Sequence, residues 1–184
     1  RRRTEVLVTG AGRLARPGAI VVDLCCGAGA IGAALLETCE GIELHAADID
    51  PAAVACARLN LEPDGGHVHE GDLFDALPSA LKRRVDIVVV NAPYVPTDAI
   101  ALMPPEARLH EATLALDGGA DGVDMHRRVG SQAAEWLTPD GYVLIETSLQ
   151  QAPLTIDALE AGGFSAWLER DEEVDGTAVI ATRP

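Results

Sequence analysis

Two stretches of this 184-residue chain combine residue types that can do chemistry at short range. Gly27-Ala28-Gly29-Ala30-Ile31-Gly32 is a G-x-G-x-x-G run set directly behind the apolar segment Ile20-Val21-Val22-Asp23-Leu24. Glycines at that spacing let the chain turn sharply and let a ligand approach the backbone. They also open a helix whose first N–H groups face that ligand. The run reads as a nucleotide-type cofactor site, with a ligand-free βα turn as the plain alternative. The second stretch is Val90-Asn91-Ala92-Pro93-Tyr94. It puts a side-chain carbonyl, the main-chain carbonyl of Ala92 and an aromatic face in one small space. A planar amide or amino group needs that combination to be held and aimed. An ordinary Asn-initiated turn with a packed Tyr is the competing reading.

Two carboxylates extend the first site. Asp48 lies 21 residues after Gly27 at the end of an apolar run, where it can accept both hydroxyls of a ribose. NAD and S-adenosylmethionine satisfy it equally. Asp72 follows another short run and could receive an adenine amino group, with Leu73 near the ring; an N-cap or turn aspartate fits as well. The five histidines, His45, His67, His69, His110 and His126, have no metal-ligand spacing and read as surface or strand residues. Glu111, Asp117 and Asp121 could line the substrate side or cap loops.

The elements that position these residues alternate. Short β-branched runs at 20–24, 42–49, 67–70, 85–90, 141–146, 164–169 and 178–182 predict strands. Helical patterns occupy 30–39, 51–61, 124–137 and 154–161, and Asp50-Pro51 supplies an N-cap and first-turn proline. Residues 4–14 predict a lone helix against the sheet edge, and 171–176 a solvated acidic turn. Unbroken apolar strands such as 85–90 are buried on both faces, as in parallel sheets. The predicted fold is one doubly wound α/β domain over 1–184. Its seven-stranded sheet is mostly parallel, with helices on both faces and an antiparallel last strand.

Composition narrows the partners. The 48% hydrophobic and 23% charged content is globular, and the net charge of -15 repels phosphate backbones. Direct nucleic-acid binding is therefore not expected, and two each of Trp, Tyr and Phe make a poor base-stacking surface. No apolar run reaches the roughly 18 residues of a membrane span. Cys25, Cys26, Cys39 and Cys56 fit neither a zinc site nor a disulfide framework, which suits a soluble protein of the reducing cytoplasm.

Taken together, the motifs resemble class I S-adenosylmethionine-dependent methyltransferases, and among them the HemK/PrmC family of protein-glutamine methyltransferases. Arg3-Thr4-Glu5 resembles the R-x-x-T-E opening, and 22–31 resembles D-L-G-T-G-S-G-A-I. Asp48-Ile49-Asp50-Pro51 matches the acidic end of strand two, Asn91-Ala92-Pro93-Tyr94 resembles N-P-P-Y, and 116–122 matches L-x-G-G-x-D-G.

The His and Cys spacing leads to no expected metal, and the resemblance implies S-adenosyl-L-methionine as cofactor and a peptide chain release factor as protein substrate. By it, Asp23 and the turn Cys25, Cys26, Gly27, Ala28 and Gly29 flank the methionine end of the cofactor. Asp48 with Ile49 holds the ribose, and Asp72 with Leu73 borders the adenine. Asn91, also beside the cofactor, accepts one hydrogen of the substrate amide and the carbonyl of Ala92 the other. Pro93 stiffens the turn and Tyr94 packs on the amide plane.

Three positions depart from the family pattern. Ala92 replaces the first proline, Glu146-Thr147-Ser148 stands for Glu-x-Gly, and Cys25 replaces a turn glycine, so the backbone there is expected to avoid positive φ. Family members carry a helical N-terminal docking domain, expected to be absent from a chain that opens Arg1-Arg2-Arg3. Methylation of a nucleobase amine or a small molecule, and cofactor binding with impaired catalysis, are the alternative functions.

Overall fold

The structure, a computed structural model, describes residues 2–100 and 117–183. His110, Glu111 and Leu116 lie outside the described residues. Among those residues the strands are β1 (Ile20–Leu24), β2 (Glu43–Asp48), β3 (His67–Glu70), β4 (Val85–Val90), β5 (Leu137–Glu146), β6 (Ser165–Asp171) and β7 (Gly176–Thr182). The helices are α1 (Glu5–Leu14), α2 (Ala30–Thr38), α3 (Pro51–Leu61), α4 (Asp124–Trp136) and α5 (Ala152–Ala161), with a single helical turn at Thr97–Ile100.

The strands form one sheet in the order β3-β2-β1-β4-β5-β7-β6. All pairings are parallel up to β5, and β7 runs antiparallel to both of its neighbours. This is the doubly wound sheet expected from the strand patterns, with the antiparallel strand last in sequence.

Burial follows the side-chain alternation of the strands. Ile20, Val22 and Leu24 of β1 face one core with Val129, Ala133 and Trp136 of α4, Leu159 of α5, Leu73 and Phe74 of the 3-10 stretch Leu73–Ala76, and Leu77 just after it. Val21 faces the other core with Leu7 of α1, Leu35 of α2 and Leu61 of α3. Helices thus cover both faces, and every residue of β1 is buried.

Several local expectations shift. The α1 helix lies over β4, β5 and β7 on the sheet face, not at the edge, because Val6, Leu7 and Ala11 need an apolar partner. Strand β5 begins at Leu137, earlier than the pattern predicts. Leu137 pairs with Val85, the register then shifts, and regular pairing resumes at Tyr142 beyond Pro139, which has no N–H to donate. The acidic turn is shorter than 171–176, because Asp171 and Gly176 pair with each other as the last rung of β6 and β7.

Candidate functional site

In a doubly wound sheet the parallel strands end on one edge, and a crevice opens where the winding reverses. Here that point lies between β1 and β4. Leu24 pairs with Val90, so the glycine turn and the Asn91 loop leave the sheet side by side. Asp48 ends the neighbouring strand β2, and Asp72 follows β3. The topology therefore gathers the residues singled out from the sequence at one edge of the sheet.

Asp23 is fully buried beneath the glycine turn. Its Oδ2 accepts from the Gly32 N–H of α2 at 3.1 Å, while Oδ1 has no hydrogen-bond partner among the described residues. Burial, with the nearby charge of Asp48 adding to it, pushes the carboxyl up to about 7. Asp48 organises the same turn from the side. Its Oδ2 accepts from Gly27 N–H at 2.8 Å and its Oδ1 from Asp50 N–H at 2.9 Å. Each oxygen keeps a second lone pair, so acceptor capacity remains for a ligand. Ile49, half exposed, lies beside it.

Cys25 departs from expectation, since it takes φ 56 despite its side chain. The turn geometry is imposed by the strand behind it and by the Cys26 N–H bonded to the Ala47 carbonyl, so the residue accepts a left-handed conformation. Its thiol is pushed up to about 12 by burial and then by Asp48, Asp23 and Asp72. Burial raises Cys26 as well. Neither is a thiolate nucleophile at neutral pH. Gly27 has φ 56, and a Cβ added there would meet open space. Asp72 is paired with the Arg128 guanidinium of α4 at 2.8 Å, a bond that holds Arg128 in its charged form. Leu73, at φ 48, is turned into the core.

The Asn91 loop is tied to residues far along the chain. Asn91 Nδ2 reaches Thr4 Oγ1 at 3.5 Å, a long contact from the segment leading into α1. Ala92 is buried in the core, and Pro93 and Tyr94 are half-buried. Val95 pairs with Asp117 in an isolated parallel bridge, and Gly118 N–H donates to the Val95 carbonyl at 2.8 Å. A Cβ on Gly118 would come within 2.8 Å of Tyr94 Cα, so this close approach requires glycine. Asp117 accepts from Thr97 Oγ1 at 2.7 Å and from Gly119 N–H at 3.0 Å, which holds its carboxyl below the usual range. Asp121, held down to about 2 by Arg127, also accepts from Val123 N–H. Both aspartates therefore bond within and around their own loop.

Two residues were not visible as functional in the sequence. Arg128 bonds Asp72, and Gln151 donates to the carbonyls of Tyr94 and Asp121. Neither sits in a motif, although Ser148 three residues before Gln151, ahead of Pro153, hints at a helix-start turn. His126 also differs from expectation. It lies on the inner face of α4, fully buried, with Nδ1 2.9 Å from Thr155 Oγ1. His45, His67 and His69 do lie on or beside strands, with the rings of His67 and His69 stacked on His45.

Asp23, Asp48 and Asp72 bring three carboxylates to adjacent strand ends, close enough for all of them to act on the Cys25 thiol. Gly32, the third glycine of the run, donates its N–H to Asp23 and packs against Leu44 and Leu61. A model of the methyltransferase small domain matches residues 4–122. The chain belongs to the methyltransferase small domain family. This family member is 36% identical over 166 residues to the release factor glutamine methyltransferase of Geobacter sulfurreducens, covering 89% of this chain and 57% of that protein. It is 39% identical over 146 residues to that of Gloeobacter violaceus, covering 77% and 50%. The chain thus spans about half the length of these curated relatives. Its fold is similar to that of a release-factor-specific protein-(glutamine-N5) methyltransferase from Alicyclobacillus acidocaldarius, with TM-score 0.60 and 21% identity over 100% of this chain and 94% of that one.

Proposed function

We propose that residues 1–184 act as one catalytic domain that binds S-adenosyl-L-methionine and methylates the side-chain amide nitrogen of a glutamine in a peptide chain release factor. The observation that carries this reading is the gathering of the carboxylates and the Asn91 loop at the carboxyl ends of neighbouring parallel strands. Three carboxylates at the ends of β1, β2 and β3 suit a positively charged ligand, and the Asn91 loop opens beside them. The similarity to release factor glutamine methyltransferases supports the acceptor. A release factor as acceptor supports a cytoplasmic reaction. No helix among the described residues is long and apolar enough to cross a membrane. A net charge of -15 disfavours a nucleic-acid acceptor.

When bound, S-adenosylmethionine supplies a methyl group on a cationic sulfur. The orphaned Oδ1 of buried Asp23 and the lone pairs left on Asp48 and Asp72 suit its ammonium, ribose and adenine amino groups respectively. An amide nitrogen is a poor nucleophile because its lone pair is delocalised. Asn91 and the Ala92 carbonyl would accept hydrogen bonds from its two N–H groups, which orients the nitrogen, raises its electron density and accommodates the positive charge that develops until the methylated nitrogen releases one N–H proton to solvent. The Thr4 contact occupies the donor end of the Asn91 amide, so its acceptor end is offered to the substrate. Pro93 keeps the turn rigid, and Tyr94 packs on the amide plane.

Calorimetric titration with S-adenosylmethionine and, separately, with NAD tests the cofactor; binding of the first alone is expected. Transfer of labelled methyl to purified release factor, located on a glutamine by mass spectrometry, tests the acceptor. Asn91→Ala is expected to lower transfer by about a hundredfold while cofactor affinity stays within a few-fold. Full activity of that variant would overturn the amide clamp. Cofactor binding without transfer to the release factor would overturn the acceptor.

A further inference from the structure

The turn 147–151 joins β5 to α5, and Gln151 sits at its end with its backbone carbonyl accepting from Thr155 N–H in the first turn of α5. Its side chain uses both ends of its amide. Oε1 accepts from Ser148 Oγ at 2.7 Å, and the Gln151 N–H returns a bond to that Oγ at 3.2 Å. Nε2 donates to the main-chain carbonyls of Tyr94 at 2.6 Å and Asp121 at 3.1 Å. One side chain on a helix start thus bridges two loops that lie 57 and 30 residues earlier in the chain. The space around it is closed: a Cβ on Gly122 would collide with both Gln151 Nε2 and the Tyr94 carbonyl oxygen.

From this geometry we infer that Gln151 is a positioning residue for methyl transfer, setting the Asn91 loop against the 117–122 loop. The inference rests on the proposed role of Asn91 and Ala92 as acceptors for the substrate amide. Ser148 fixes the orientation of the Gln151 amide by taking its oxygen, so the NH₂ must point at the two carbonyls. A donor on the Tyr94 carbonyl fixes the peptide plane that follows Tyr94. Pro93 then transmits that orientation to the Ala92 carbonyl two residues upstream, because its ring removes one backbone rotation. The 117–122 loop supplies the other wall: Gly118 N–H and the Thr97–Asp117 bond hold it to the same strand end. An Oε in place of Nε2 would face two carbonyl oxygens with no hydrogen between them, so Gln151→Glu keeps the shape and reverses the interaction.

The test compares Gln151→Glu and Gln151→Met with the unaltered chain. It measures kcat and KM for the release factor, the S-adenosylmethionine Kd, the unfolding midpoint and backbone amide NMR spectra. The expected result is a fall in kcat of roughly tenfold to a hundredfold in both variants, with cofactor Kd within about threefold. Amide shifts are expected at 91–95 and 117–122 with the sheet unchanged. Either variant retaining the original kcat overturns the inference. So does a loss of kcat matched by equal losses of cofactor affinity and unfolding midpoint, which marks a merely structural role. If the unaltered chain transfers no methyl to the release factor, the acceptor reading fails alone. The amide spectra then decide for Gln151: shifts confined to the two loops support it, and unchanged loops overturn it.

Discussion

Replacing Asp23 by Asn removes a charge from the buried end of β1 while keeping the shape. The asparagine side chain mimics the protonated acid, since its Oδ1 can still accept from Gly32 N–H and its NH₂ takes the place of the orphaned oxygen. In the folded chain the carboxyl is pushed from 3.8 to about 7, chiefly by burial. Because the folded acid holds its proton more tightly than the unfolded one, its contribution is full below about pH 4 and is lost as pH rises through 7. At about 1.4 kcal/mol per pH step, the ionised form at high pH costs on the order of 4 kcal/mol. The ligand-free Asp23→Asn variant is therefore expected to gain stability relative to the unaltered chain between about pH 4 and pH 7, by up to that amount. Denaturant unfolding of both proteins across that range measures the difference. S-adenosylmethionine affinity is expected to move the other way. It should rise with pH through 7 in the unaltered chain, where a cationic ligand favours ionised Asp23, and stay flat and weaker in the variant. Parallel stability curves would refute the reasoning, because they would mean that Asp23 is ionised and solvated in the folded state.

His126 has the opposite sign. Burial lowers it from 6.5 to about 4, so the stability of its neutral form is present above about pH 6.5 and is lost as pH falls through 4. His126→Gln is expected to reduce acid sensitivity in that window, measured by urea midpoints at several pH values. At Cys25, whose φ is 56, Cys25→Gly is expected to stay within about 1 kcal/mol of the original stability. Cys25→Val should lose about 2 kcal/mol or more, because a β-branched residue tolerates positive φ poorly. Thermal unfolding of the pair separates the two outcomes.

Much of the site was legible along the chain because it sits where strands stop. Apolar runs such as Val85–Val90 encode buried parallel strands, and in a parallel sheet every strand ends on the same edge. Asp48, Asp72 and Asn91 end or follow such runs and so fall on that edge, whereas Asp23, inside the first run, is assigned to the site only by the family resemblance. The Asp50-Pro51 start of α3 was equally local: Asp50 Oδ1 accepts from Ala52 N–H at 2.9 Å. The tertiary structure alone decided which distant groups meet there. Arg128 reaches Asp72 across 56 residues and Gln151 reaches Tyr94 across 57, and neither spacing has a period or a motif. The same holds for α1 on the sheet face, the burial of His126, and the positive φ of Cys25. Local sequence carries helical and strand periods and the residues that break them. The partners of a side chain, and the strain a residue must accept, follow from how elements far apart in sequence pack together.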